Sequence, residues 1–160
     1  MSLGVDASVR IVYHPLSKHH GLPTGSLFST PKSKSSSASF CQRITIKNAR
    51  STPLTRVIVR DQVPVSNDAR VKVVIVEPRG LESKEGVDAF RGVIIQTKGS
   101  TAGLVVRARH TQKNEDNPSA GDTDDGRMEW ICEEVPMGET LELTLAWEVV
   151  APVSVKWAKV

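Results

Sequence analysis

Histidines, cysteines and a few acidic groupings are the side chains of this 160-residue chain whose types and spacing suit chemistry. His14, His19 and His20 lie close together, and His110 opens a polar stretch far downstream. Gathered in space, they would offer imidazole nitrogens to zinc, but paired ligand spacings such as Cys-x2-Cys are absent, and solvated loop histidines are the plainer reading. Asp122, Asp124, Asp125 and Gly126 suggest an acidic calcium loop. An EF-hand needs oxygen ligands at positions 1, 3 and 5, Gly at 6 and Glu at 12; counted from Asp122, the fifth position is Gly126 and the sixth Arg127, so the pattern fails. Glu82, Glu85 and Asp88 supply carboxylates of the kind glycoside hydrolysis uses in pairs, but nothing pairs them, and a solvated face explains them. Asp61, beside Arg60 and just before Pro64 and Ser66, suits either a ligand-binding edge or a residue accepting backbone hydrogen bonds across a turn; the second is expected. No catalytic, cofactor-binding or metal-ligating residue is assigned. The chain is expected to be no enzyme and to need no cofactor.

The cysteines and tryptophans must be placed by strand phase. Alternation over Phe40–Lys47 turns Phe40, Gln42, Ile44 and Ile46 inward and Cys41 outward. In Met128–Glu134 the inward set is Met128, Trp130 and Cys132. A disulfide needs both side chains on facing surfaces, so two free thiols are predicted, which suits a reducing compartment, the cytoplasm. Trp130 and Trp147 share phase with inward apolar residues and are expected in the core. Trp157, near the end, is left as a candidate sugar-stacking residue. Thr30-Pro31 and the Ser33–Ser39 stretch offer phosphorylation sites, although Ser-rich linkers need no such reason.

The elements that would position these residues are strands. Residues 8–13, 39–48, 54–62, 69–77, 93–97, 104–109 and 127–134 each read as a strand. Residues 141–149 alternate Leu141, Leu143, Leu145, Trp147 and Val149 with Glu142, Thr144, Ala146 and Glu148, the pattern of a half-buried antiparallel strand. A type I turn is expected over Val135–Gly138, with Pro136 second and Gly138 fourth. Pro152 should end the last long strand, and Val153, Val155 and Trp157 offer a short further one. Residues 79–90 read as a loop with at most one helical turn. Residues 14–38 and 110–126, polar and without period, read as long disordered loops. The predicted fold is all-β: an immunoglobulin-like antiparallel β-sandwich of about eight strands, in a single domain over residues 1–160 excised from a longer protein.

Composition bounds the partners. Residues 1–60 carry nine Lys or Arg and one acid, Asp6, whereas residues 61–160 carry twelve Lys or Arg and seventeen acids. A basic first third invites a polyanion, but it lacks the interleaved aromatics of single-strand binding platforms, so nucleic-acid binding is not expected. No run of about 18 apolar residues is present to span a membrane as a helix, and the N-terminus lacks a charged-then-apolar signal pattern.

Four patches, in order, carry a family resemblance: LGVDASVRI at 3–11, ITIKNARSTP from Ile44, VRDQVPVSNDARVKVVIVEPRG from Val59, and MEWICEEVPMGE followed by LTLAWEVVAP. Together they resemble the C-terminal domain of mucoidy inhibitor A-like proteins, a domain-of-unknown-function family. The match covers roughly half of the chain, with Asp61–Ser66 its most specific part. The two polar insertions depart from the compact bacterial pattern and look more like a fungal or other eukaryotic version. The resemblance implies an immunoglobulin-like sandwich behind an N-terminal β domain and a helical middle, an assembly role, and no active-site residues to carry over.

The expected function is therefore a non-enzymatic structural or protein-interaction module whose partner is a protein or another domain of its parent. Strand addition at an exposed sheet edge is the expected mode, with residues 93–97 as the edge. The alternative is a carbohydrate- or polyanion-binding β-sandwich module using the basic first third.

Overall fold

Alternation of apolar and polar side chains becomes two packed sheets in the computed structural model, which describes residues 7–21, 35–81, 92–97, 103–111 and 126–154. Among these residues all regular structure is β. The strands are β1 (Val9–Tyr13), β2 (Ser17–His20), β3 (Ser35–Asn48), β4 (Leu54–Gln62), β5 (Lys72–Glu77), β6 (Val93–Gln96), β7 (Val105–His110), β8 (Arg127–Val135) and β9 (Thr140–Pro152). The first sheet runs β1-β3-β9-β5, with β2 also pairing β3; the second runs β4-β8-β7-β6. Every pairing is antiparallel.

The two long strands of the first sheet carry the period-two signal furthest. Along β9, burial alternates at every position, and Leu141, Leu143, Leu145, Trp147, Val149 and Ala151 all face inward. β3 pairs with it from Ser35 opposite Pro152 to Lys47 opposite Thr140. From the second sheet, Val106, Ala108, Met128, Trp130, Cys132 and Val135 close the core from the other side.

Two of the crossings between the sheets, β3 to β4 and β8 to β9, lie at one end. Residues 49–53 carry β3 over to β4, and residues 136–139 carry β8 over to β9. Asn48 ties them together. It is fully buried, and its Nδ2 donates to the carbonyls of Thr52, Val135 and Pro136 while its Oδ1 accepts from the Arg50 N–H. Its own backbone bonds Glu139 and Gly138. The β3–β9 pair is thereby anchored over the β4–β8 pair.

The sandwich differs from the expectation in detail. Among the described residues nine strands stand where about eight were expected. In an immunoglobulin constant domain the fifth strand lies between the second and fourth of its sheet; here the last strand, β9, lies between β3 and β5. The stretch 14–38, expected as a disordered loop, contains β2 and the start of β3, and residues 22–34 lie outside the described residues. The serines at 35–39 belong to β3, where backbone pairing with β9 overrides a linker-like composition. β5 starts at Lys72, later than expected, because Asp68–Val71 forms a turn closed by Val71 N–H donating to Asp68 O. The turn after β8 sits one residue later than expected: Glu139 N–H donates to Pro136 O, which puts Gly138, at φ +76°, third, where a type II turn needs a positive φ. His110 belongs to β7, and the rest of the expected second loop, from 112 to 125, lies outside the described residues. So do most of 79–90, the 98–100 turn and the expected strand positions Val155 and Trp157.

Candidate functional site

β1 and β2 form one edge of the first sheet, lying end to end along β3. Tyr13 is opposite Ile44 and Ser17 opposite Cys41, so the three residues His14 to Leu16 face only Gln42 and Arg43. That extra residue is a β-bulge at Pro15, which cannot donate to a ladder. Gln42 Nε2 fills the gap by donating to His14 O at 2.6 Å, and His14 Nε2 lies 2.7 Å from Thr45 Oγ1.

The hydrogen-bond phase shows which groups this edge presents. Ala49 N–H donates to Ser8 O and His14 N–H donates to Arg43 O. Even-numbered residues of β1 therefore bond β3, and the N–H and C=O groups of Val9, Ile11 and Tyr13 point the other way. Among the described residues no strand occupies that side.

The side chains are equally open. Ile11 and Tyr13 are opposite Ile46 and Ile44, both 1% exposed, so they share the inward face; yet each is itself 57% exposed. The second sheet does not cover β1. Val12 on the outer face and Leu16 in the bulge are exposed too. An unpaired apolar edge of this kind is one that proteins normally blunt or occupy.

This edge is also basic. Residues 7–21 and 35–48 hold Arg10, Lys18, Arg43 and Lys47 and no Asp or Glu. Arg10 is directly opposite Lys47 on the outer face, and neither forms an ion pair with a described residue. Arg43 reaches Glu142 at 3.8 Å. Lys18 lies 5.5 Å above the Phe40 ring, which stacks on Trp147. Arg10, Arg43 and Lys47 thus share the outer face of β1 and β3, whereas Lys18, opposite Phe40, lies on the inward face.

The edge expected from sequence, residues 93–97, is also a sheet edge, since β6 ends the second sheet. It is shorter, and Val93 and Ile95 pack against the core, which leaves Ile94 as its exposed apolar side chain. Sequence reading passed over β1 because alternation marks a strand's faces but not which faces a second sheet will cover.

The remaining chemistry-bearing residues do not converge. His19 and His20, expected in a loop, are exposed in β2, whereas His110 is buried in the second sheet opposite Met128, its Nε2 3.4 Å from Leu81 O. Among the described residues no three His, Cys, Asp or Glu side chains are grouped to hold a metal. Cys41 on β3 and Cys132 on β8 are free thiols, and burial pushes the Cys132 thiol above the usual cysteine range. Trp130 and Trp147 are buried as expected. Glu82, Glu85, Asp88, Asp122, Asp124, Asp125, Thr30, Ser33 and Trp157 lie outside the described residues.

Asp61 does not close the turn after β4. Its Oδ1 accepts from the neighbouring Gln62 N–H, and Asp68 takes the turn role, accepting from Arg70 N–H and pairing with the Arg70 guanidinium at 2.7 Å. That guanidinium holds the Asp68 carboxyl at about 2. A cross-strand row that sequence reading missed is Arg60–Glu129–Arg109 on the outer face of the second sheet. Glu129 is 6% exposed, gripped by the Arg109 guanidinium and 3.9 Å from Arg60 Nε. A cleft of about 740 Å³ opens between Glu77–Arg79, β6 and the Glu142–Thr144 part of β9. Its polar lining includes Glu77, Arg79, Thr97, Glu142 and Thr144.

A family model described as "Domain of unknown function (DUF4139)" matches residues 2–153, nearly the whole chain. The chain belongs to that family. No curated protein matches it, and no solved structure does.

Proposed function

For a member of this family built in this way, we propose a non-enzymatic protein-interaction role: the domain takes an extended segment of a protein partner as an added strand. The observation that carries this reading is the β1 edge, where Ile11 and Tyr13 face inward without cover beside unpaired backbone groups. Strand addition satisfies those groups and buries those side chains in one step. We further assign the domain to the C-terminal end of a mucoidy inhibitor A-like protein. In support, the resembling patches fall on the β3–β4 crossing and on the β8–β9 turn, the two joints that Asn48 ties together. The partner is then another protein or the N-terminal or helical part of the same one. The two free thiols support a reducing compartment, the cytoplasm.

A second reading, a carbohydrate- or polyanion-binding module, is favoured by the basic surface around Arg10, Arg43 and Lys47. One titration separates the two. Amide shifts of the 160-residue chain are followed as the N-terminal and helical parts of the parent, a glycan panel, heparin, zinc and calcium are added in turn. Shifts along residues 9–13 with a protein segment are expected. Shifts with glycan or heparin alone, falling steeply with salt, would replace the first reading by the second.

A further inference from the structure

Resting on the strand-addition reading, we infer that the β1 edge selects an extended partner segment that alternates apolar and acidic residues. Two independent features of the edge set that chemistry. The first is face. A strand laid beside β1 hydrogen-bonds the outward groups of Val9, Ile11 and Tyr13, and alternate side chains of that strand fall on the inward face beside Ile11 and Tyr13. Those positions demand apolar residues, because they complete a face that is 57% exposed at both sites.

The second feature is charge. The other side chains of the added strand fall on the outer face beside Arg10 and Val12. Arg10 and Lys47 are directly opposite one another there without an acid between them, and like charges so placed repel. A carboxylate beside Arg10 turns that repulsion into attraction; a lysine at the same position adds a third cation. β1, β2 and β3 contain no acid, and Glu142 of the neighbouring β9, opposite Thr45, is engaged by Arg43.

A second copy of this chain fits the backbone but not the charge. Two β1 strands paired about Ile11 would put Val12 of one beside Arg10 of the other and bring a second Arg10–Lys47 pair onto the same face. A polyanion would meet the cations but leave Ile11 and Tyr13 in water. The alternating segment is the occupant that answers both features.

The test uses the whole chain and three short peptides of equal length: alternating Val and Glu, the same with Lys for Glu, and the same with Thr for Glu. Binding is read from amide shifts of residues 9–13, and unchanged shifts in β8 and β9 report that each variant is folded. The Glu peptide should bind about tenfold more tightly than the Lys peptide, as expected from reversing one or two cross-strand charge contacts. That preference should reverse in Arg10→Glu with Lys47→Glu, and all three peptides should lose binding in Ile11→Lys. Equal binding of the three peptides at β1 would overturn the acidic partner and leave strand addition standing. No shift at β1 with any peptide would overturn both. Concentration-dependent β1 shifts without peptide would assign the edge to a second copy, and heparin displacing the Glu peptide from residues 9–13 would assign it to a polyanion; either result overturns the inference.

Discussion

Asn48 shows how much one side chain can decide. In sequence it looks like an ordinary turn residue, tolerant of unusual backbone; in the structure it is fully buried and its amide joins two of the sheet crossings. Asn48→Ala would strip the buried Val135 O and the part-buried Pro136 O of a donor. Buried polar groups left unpaired cost about 1–3 kcal/mol each, so a loss of about 3 kcal/mol is expected in urea denaturation. A change under about 1 kcal/mol would mean that the crossings hold without it. Asp68 gives a second test, this time of charge. Its folded value of about 2 is below the 3.8 of the free group, because Arg70 donates to it and neutralises it. A lowered carboxylate value means that the contribution is complete above 3.8, declines below it, and is gone once pH falls through about 2. The Asp68 carboxyl carbon should therefore titrate near 2, and Arg70→Ala should return it to the ordinary carboxylate range. The clamp of Glu129 between Arg60 and Arg109 was not legible beforehand, because neither arginine is close to it in sequence.

Strands were the most legible elements, for a plain reason. Where one face meets a core and the other meets water, side chains alternate, and β9 was readable residue by residue from Leu141 to Val149. Legibility failed where pairing, not side-chain pattern, makes the strand. β2 and the serines of β3 carry little apolar signal, and only their ladders with β3 and β9 hold them extended. It also failed at β1, whose faces look half-buried in sequence but are left open. Turns depend on single residues and give sharp tests. Gly138 has φ +76° with open space around the position of a side chain, so Gly138→Ala should cost only the left-handed penalty of about 1–2 kcal/mol. Gly126 has φ +72°, and a Cβ there would collide with the carbonyl of Val63, whose N–H donates to Gly126 O. Gly126→Ala should therefore cost clearly more than Gly138→Ala in the same denaturation series. Equal losses would show that the β4–β8 end can shift to make room.

At the scale of the molecule, the fold class was readable and the strand order was not. Periodicity says that strands exist; it does not say that the last of them lies between β3 and β5. The charge division was visible as a number, but only the topology shows that Arg10, Arg43 and Lys47 come together on the outer face of one sheet. The order has a mechanical consequence. β9 joins β3 to β5, and no other described strand pairs with both. Its five large inward side chains, at roughly 1.5–3 kcal/mol of burial each, rival the roughly 5–15 kcal/mol of net stability of a typical domain. A chain ending at Glu139 should thus lose its dispersed amide spectrum and its cooperative unfolding. β1 occupies the opposite position: it pairs with β3 alone, and most of its side chains are exposed. A chain starting at His14 should keep a cooperative, somewhat weakened transition while losing the binding edge. Cooperative unfolding of the 1–139 chain would mean that the second sheet is a folding unit by itself and that β9 only adds to it. Failure of both truncations would mean that β1 stabilises the first sheet far more than its exposure suggests, and an edge kept open for a partner would no longer account for it.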